Sequence, residues 1–158
     1  MPAPLRQKVA SVVRRIPLLI KLAYYGYRFF QPKFTIGVIG LVFNAQREVL
    51  IVEHVFHPKL PWGLPGGWVN FNEDPALAVV RELKEELGLN ATIEQILMME
   101  RTQYHHIDMA FLCTATNSPT LATNELLGFC WIAPSQLPRM HKFHYLAIHR
   151  ALELSEKS

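Results

Sequence analysis

The stretch from Gly66 to Leu89, GGWVNFNEDPALAVVRELKEELGL, places the tightest limits on how this chain can fold. Its second half has marked ends. Asp74 suits an N-cap, Pro75 the first helical position, and Gly88 the residue just past the last turn. Between them Leu77, Val80, Leu83 and Leu87 recur at helical spacing. At about 100° per residue they fall within roughly 120° of arc, while Glu82, Glu85 and Glu86 fall within about 100° on another side. The spacing predicts a helix that docks one face on a sheet and presents three carboxylates on the other.

Such a surface is costly. Glu82 and Glu86 repel each other one turn apart. Glu85 and Glu86 sit in the last turn, where the helix dipole disfavours negative charge. Arg81 and Lys84 offset part of this. A solvated acidic face is the plain explanation, but a bound counter-cation accounts better for several penalties placed together. Carboxylate-rich oxygen ligation suits Mg²⁺ or Mn²⁺ rather than zinc or copper. Just upstream, Gly66 and Gly67 let backbone approach a ligand closely, so a carbonyl there could join the carboxylates. Trp62, Trp68 and Phe71 flank this loop, and both core or lid packing and base stacking would use them.

A chain of 158 residues, half of them apolar and 18% charged, fits one globular domain with a sizeable core. Cys113 and Cys130 form no CxxC pair and no disulfide framework, so a reducing, cytoplasmic setting is expected. His141 and His144 are close in sequence, but no further set completes a zinc site. The net charge of +3 hides an asymmetry: residues 1–47 hold eight Lys or Arg and no acid. The segment Val9–Phe30 is apolar with interspersed basic residues, too interrupted by charge to cross a membrane and a poor signal peptide. On a helix, Val9, Val13, Ile16, Ile20, Ala23, Tyr27 and Phe30 share a stripe, with Pro17 expected to kink or split it. An extra helix packed on the domain or on a dimer partner, and a basic amphipathic helix on an anionic membrane, both fit.

Residues 34–44 and 48–56 read as a pair of strands, and LPWGLPGGW as a loop. After the carboxylate helix come two strand-like runs, ATIEQILMMERTQY and HIDMAFLCTAT, then a loop, a fifth strand ELLGFCWIA, and a C-terminal helix HKFHYLAIHRALEL. Strands covered by two or three helices predict a mixed-sheet α/β sandwich.

The spacing Gly67, five residues, Glu73, seven residues, then Arg81-Glu82-Leu83-Lys84-Glu85-Glu86-Leu87-Gly88-Leu89 resembles the Nudix box, GX5EX7REUXEEXGU, at every fixed position. The likeness extends over roughly residues 34 to 150, including the WGLPGG approach, and leaves the N-terminal segment outside. It implies a Nudix-type α/β/α sandwich with a mixed β-sheet over residues 33–158, preceded by a basic helical extension over residues 1–32. It also implies hydrolysis of the pyrophosphate linkage in a nucleoside diphosphate joined to some group X.

By similarity, Glu85 and Glu86 are the main ligands of Mg²⁺, or of Mn²⁺, with the Gly66 carbonyl beside them. Glu82 is a further ligand or the base that activates water. Arg81 holds a glutamate, either Glu73 or Glu82, and Glu73 and Gly88 are structural parts of the box. Glu125, opening the last strand, is the alternative candidate for that base. Gly67, Trp68 and Tyr104 are expected to contact substrate. Asp108, His105 and His106 are weaker candidates, because either face of their strand could carry them.

The box encodes the chemistry, and the flanking loops choose X. No proline lies between Pro75 and Pro119, so the downstream proline associated with ADP-ribose cleavage is absent, and no coenzyme A signature is visible. A small nucleotide is expected, either a nucleoside triphosphate or a nucleotide sugar or alcohol. An RNA 5′-end pyrophosphohydrolase and a non-catalytic nucleotide-sensing domain remain as alternatives. A homodimer is expected, and residues 6–33 could contact a membrane or RNA.

Overall fold

The computed structural model describes residue 7 and residues 17–155. The described residues up to Lys33 and those from Phe34 onward belong to two compact units. In the first, α1 runs Pro17–Phe30. Pro17 occupies its first turn, where the missing N–H costs nothing. Val9, Val13 and Ile16 of the expected stripe lie outside the described residues.

In the second unit the strands are β1 (Thr35–Val42), β2 (Val49–His54), β3 (Trp62–Gly63), β4 (Gly66–Trp68), β5 (Ala91–Gln103), β6 (His106–Ala115) and β7 (Leu126–Ile132). Two helices join them: α2 (Pro75–Leu87) and α3 (Lys142–Ser155). One sheet has the order β4-β1-β6-β5, the other β3-β2-β7. The first is mixed, because β1 runs parallel to β6 while β4 and β5 run antiparallel to their neighbours. The α/β sandwich expected from the sequence is present.

Two expectations are corrected. β1 and β2 do not form an extended pair: they meet at a single bridge, Phe43 to Val49, and then enter different sheets. Their burial explains the divergence. Val38 and Val42 of β1 enter the core under α2, whereas Ile39 and Leu41 enter the core under α3. Both faces of β1 are thus covered, and a near-continuous apolar run serves both layers. The LPWGLPGGW segment is not wholly loop either, because it supplies β3 to one sheet and β4 to the other. Its glycines permit this, as shown below.

Candidate active site

α2 starts and stops as its sequence dictates. The Asp74 carboxylate accepts from the Ala76 N–H at 2.8 Å, and Pro75 follows it. At the other end Gly88 is left-handed, with φ 61°. The Gly88 N–H donates to the Lys84 carbonyl and the Leu89 N–H to the Leu83 carbonyl, closing a Schellman-type end. The remaining carbonyls recruit the loop before β7. Thr120 donates its N–H to the Leu87 carbonyl and Ala122 to the Glu86 carbonyl, at 2.9 and 3.0 Å. Capping of the helix thereby brings the segment that ends in Glu125 against the helix's acidic end.

The docked face is rotated from the one expected. Leu77 is 67% exposed, whereas Ala78, Val79, Leu83, Glu86 and Leu87 are buried. At about 100° per residue, Glu86 lies near the centre of that buried arc and Glu82 within it. Glu82 and Glu86 therefore turn toward the sheet, and of the three carboxylates only Glu85 stays exposed. The reason lies in what α2 meets. A side chain on Gly40 would strike Leu83 at 2.8 Å, and one on Gly67 would lie 2.5 Å from the Glu82 carboxyl carbon. Gly66, at φ 153°, has no room for a side chain either, because the Val38 carbonyl fills it. Gly40 and Gly67 thus open a slot of bare backbone beneath the helix, filled by Leu83 over the first and by the Glu82 carboxylate over the second.

In the slot the Gly66 N–H donates to Glu86 Oε2 at 2.9 Å. Glu86 is 6% exposed, and among the described residues it is the buried charged side chain. Burial pushes its carboxyl up to about 8, and the charges of Glu82, Glu125 and Glu85 add to that, against the opposing Gly66 hydrogen bond. Burial likewise raises Glu82, partly opposed by Arg81.

Arg81 organises the rest. Its Nε and Nη2 grip both oxygens of Glu73 at 2.7 and 2.9 Å. Nη2 also donates to the Trp68 carbonyl at 3.0 Å, and Nη1 donates to Glu82 at 2.7 Å and Glu85 at 3.0 Å. The fork spans three carboxylates and one strand carbonyl, which only a guanidinium can do. Glu73 in turn accepts from the Asn70 N–H, and the Arg81 hydrogen bond holds its carboxyl down at about 2. Both partners named for Arg81 from the sequence, Glu73 and Glu82, are engaged at once.

Glu82, Glu85, Glu86, Arg81, Gly66, Gly67 and Glu73 are thus brought together, and Glu125 lies near enough for its charge to act on Glu82 and Glu86. Among the described residues, no three acidic, His or Cys side chains already converge on one point as a metal cage. Glu82 and Glu85 are instead turned to Arg81. Tyr104 sits on the turn after β5, 87% exposed, its ring edge-on to His105 at 4.1 Å. Trp68 lies on the opposite face of β4 from Gly67, with its ring 4.8 Å from that of His106. His106 and Asp108 share that face and are joined at 3.0 Å, so the alternation left open by sequence resolves toward Trp68.

A residue the sequence reading set aside supports the glycine loop. His144, at the start of α3, accepts the Leu64 N–H at Nδ1 over 2.8 Å. Its ring and that of His54 fill the space a side chain on Gly63 would need. The spacing of His141 and His144 is visible in the sequence, where such histidines read as surface or core residues rather than zinc ligands. Nothing local signals a partner 80 residues away.

The profile of the NUDIX domain family matches residues 33–151. A Bacillus subtilis (strain 168) protein provisionally named an 8-oxo-dGTP diphosphatase is 32% identical over 107 residues, covering 66% of this chain and 70% of that protein. An RNA pyrophosphohydrolase of Orientia tsutsugamushi (strain Boryong) is 32% identical over 75 residues, covering 47% of this chain and 45% of that protein. The NUDIX domain of Shewanella oneidensis NrtR, solved with ADP-ribose, shares the fold at a TM-score of 0.68 and 21% identity, over 85% of this chain and 96% of that one. The family profile spans both the acidic helix and the glycine slot it enters, and the chain belongs to the Nudix hydrolase family.

Proposed function

We propose that this chain is a divalent-metal-dependent pyrophosphohydrolase acting on a small nucleoside diphosphate derivative, either a nucleoside triphosphate or a nucleotide sugar or alcohol. One observation carries the reading: a buried carboxylate, Glu86, surrounded by the charges of Glu82, Glu85 and Glu125. Such a cluster is costly by itself and is offset by a cation. The residues fit Mg²⁺ or Mn²⁺, since every donor is oxygen. Glu85, Glu86 and the Gly66 carbonyl would hold the ion, with Glu82 as a further ligand.

A bound divalent cation supplies charge neutralisation on the phosphates and a lowered pKa for bound water. The chain's own residues do the rest. Glu82, half-buried and raised by that burial, would accept a proton from the attacking water. Glu125 is the alternative acceptor, arriving on the loop that caps α2. Arg81 positions Glu82 and Glu85 and ties them to β4 through the Trp68 carbonyl. Trp68 offers a 62% exposed indole on the other face of β4, against His106, on which a base could stack. The partial likeness to an RNA pyrophosphohydrolase keeps triphosphorylated RNA ends as a second substrate class.

The test is hydrolysis over a panel of nucleoside triphosphates, nucleotide sugars, CDP-alcohols, dinucleoside polyphosphates and triphosphorylated RNA, with Mg²⁺ or Mn²⁺. The control is the Glu85→Gln/Glu86→Gln double variant. Turnover of one class, abolished in the control, supports the reading. A folded, Mg²⁺-binding protein silent across the panel refutes it in favour of a nucleotide-sensing domain.

A further inference from the structure

We infer that α1 is an interfacial anchor that lies on an anionic lipid surface. The helix has a narrow polar stripe. At about 100° per residue, Lys21 and Arg28 lie within about 20° of each other, with Tyr24 and Tyr25 roughly 40–60° to either side. The remaining arc, roughly 260° wide, holds Leu18, Ile20, Leu22, Ala23, Tyr27, Phe29 and Phe30. Leu22 is 61% exposed, Phe29 73% and Phe30 84%. Water alone is a poor solvent for such an arc.

Charge selects the occupant. Residues 1–33 carry seven Lys or Arg and no Asp or Glu. Against a second copy of the same segment this charge repels; against an anionic bilayer it attracts. The side chains also suit the depth of a lipid interface. Leu, Ile and Phe enter the acyl boundary, the tyrosines rest at headgroup level, and the long stems of Lys21 and Arg28 carry their charges to the phosphates. Single-stranded RNA would use the basic and aromatic groups but leave Leu18, Ile20 and Leu22 without a partner. No described helix is long and apolar enough to cross a membrane, so α1 lies along the surface.

The test is co-sedimentation of the full chain with phosphatidylcholine vesicles, with and without about 30% phosphatidylserine, at about 0.1 M and about 0.5 M NaCl. Binding is expected only to the anionic vesicles and falls with salt. Lys21→Ala/Arg28→Ala weakens it about 30-fold, from two surface charges. Leu22→Gln/Phe29→Gln weakens it by about tenfold or more. Circular dichroism and nucleotide hydrolysis should be unchanged in both variants, which separates loss of docking from loss of fold. No binding, equal binding to neutral vesicles, or binding indifferent to both variants overturns the proposal. So does salt-sensitive binding to single-stranded RNA without vesicle binding. A dimer lost in Leu22→Gln/Phe29→Gln, again without vesicle binding, assigns the face to a second copy and likewise overturns it.

Discussion

Glu86→Gln should stabilise the metal-free protein while abolishing its activity. The Glu86 carboxyl is raised from 4.5 to about 8, chiefly because it is buried. A group raised in the folded state contributes its stability fully below the unfolded value and loses it as pH rises through the folded one. For Glu86 that window runs from about 4.5 to about 8. At pH 7, held protonated against a solution about 2.5 above the unfolded value, it imposes about 3 kcal/mol, at about 1.4 kcal/mol per pH unit. Glutamine fills the same slot, keeps an oxygen for the Gly66 N–H and carries no charge to bury. In EDTA at pH 7 the variant should melt about 6–12 °C higher, at about 2–4 °C per kcal/mol for a chain this size. The gap should close near pH 4.5. Mg²⁺ should raise the melting point of the parent more than that of the variant, by mass action on the folded state. Calorimetric melting over pH 4.5 to 8, with and without Mg²⁺, reads all three effects. A variant no more stable than the parent at pH 7 would refute the claim that burial governs this carboxyl.

Arg81→Lys retains the charge but loses the fork across Glu73, Glu82 and Glu85; steady-state kinetics should show kcat lowered about 100-fold in a folded protein. Gly67→Ala drives a methyl group into the Glu82 carboxyl, so a loss of turnover larger than its loss in urea stability is expected. Gly66→Ala meets strand backbone instead and should cost about 3 kcal/mol in urea unfolding. Desolvation lowers half-buried His144 from 6.5 to about 4, so its contribution is complete above 6.5 and drains as pH falls toward 4. His144→Asn, which can still accept from Leu64, should flatten that acid limb of the stability profile; an unchanged limb would exclude His144 as its source. Asp74→Ala should cost about 1 kcal/mol and leave kcat unaltered.

Local chemistry determined much of this protein before any tertiary contact was known. The ends of α2 follow from Asp74, Pro75 and Gly88, because caps satisfy orphan backbone groups within a few residues of themselves. The glutamate set and the glycines before it were legible for the same reason: their costs are local, and a local cost without a local remedy points to a ligand. The face on which α2 docks was not legible. Periodicity ranks side chains by hydrophobicity and put Leu77 inward, whereas the docking surface is glycine backbone that leaves room for Glu82 and Glu86 and turns Leu77 outward. Nor could sequence show β1 and β2 parting into two sheets, since their apolar runs satisfy a hairpin equally well. His144 beneath Leu64 and Glu125 beside the helix end are long-range placements. Residue type and spacing determined which groups could do chemistry; only the packing of the α2 helix into the glycine slot decided which carboxylate is buried, because burial belongs to the surface a residue meets and not to the residue itself.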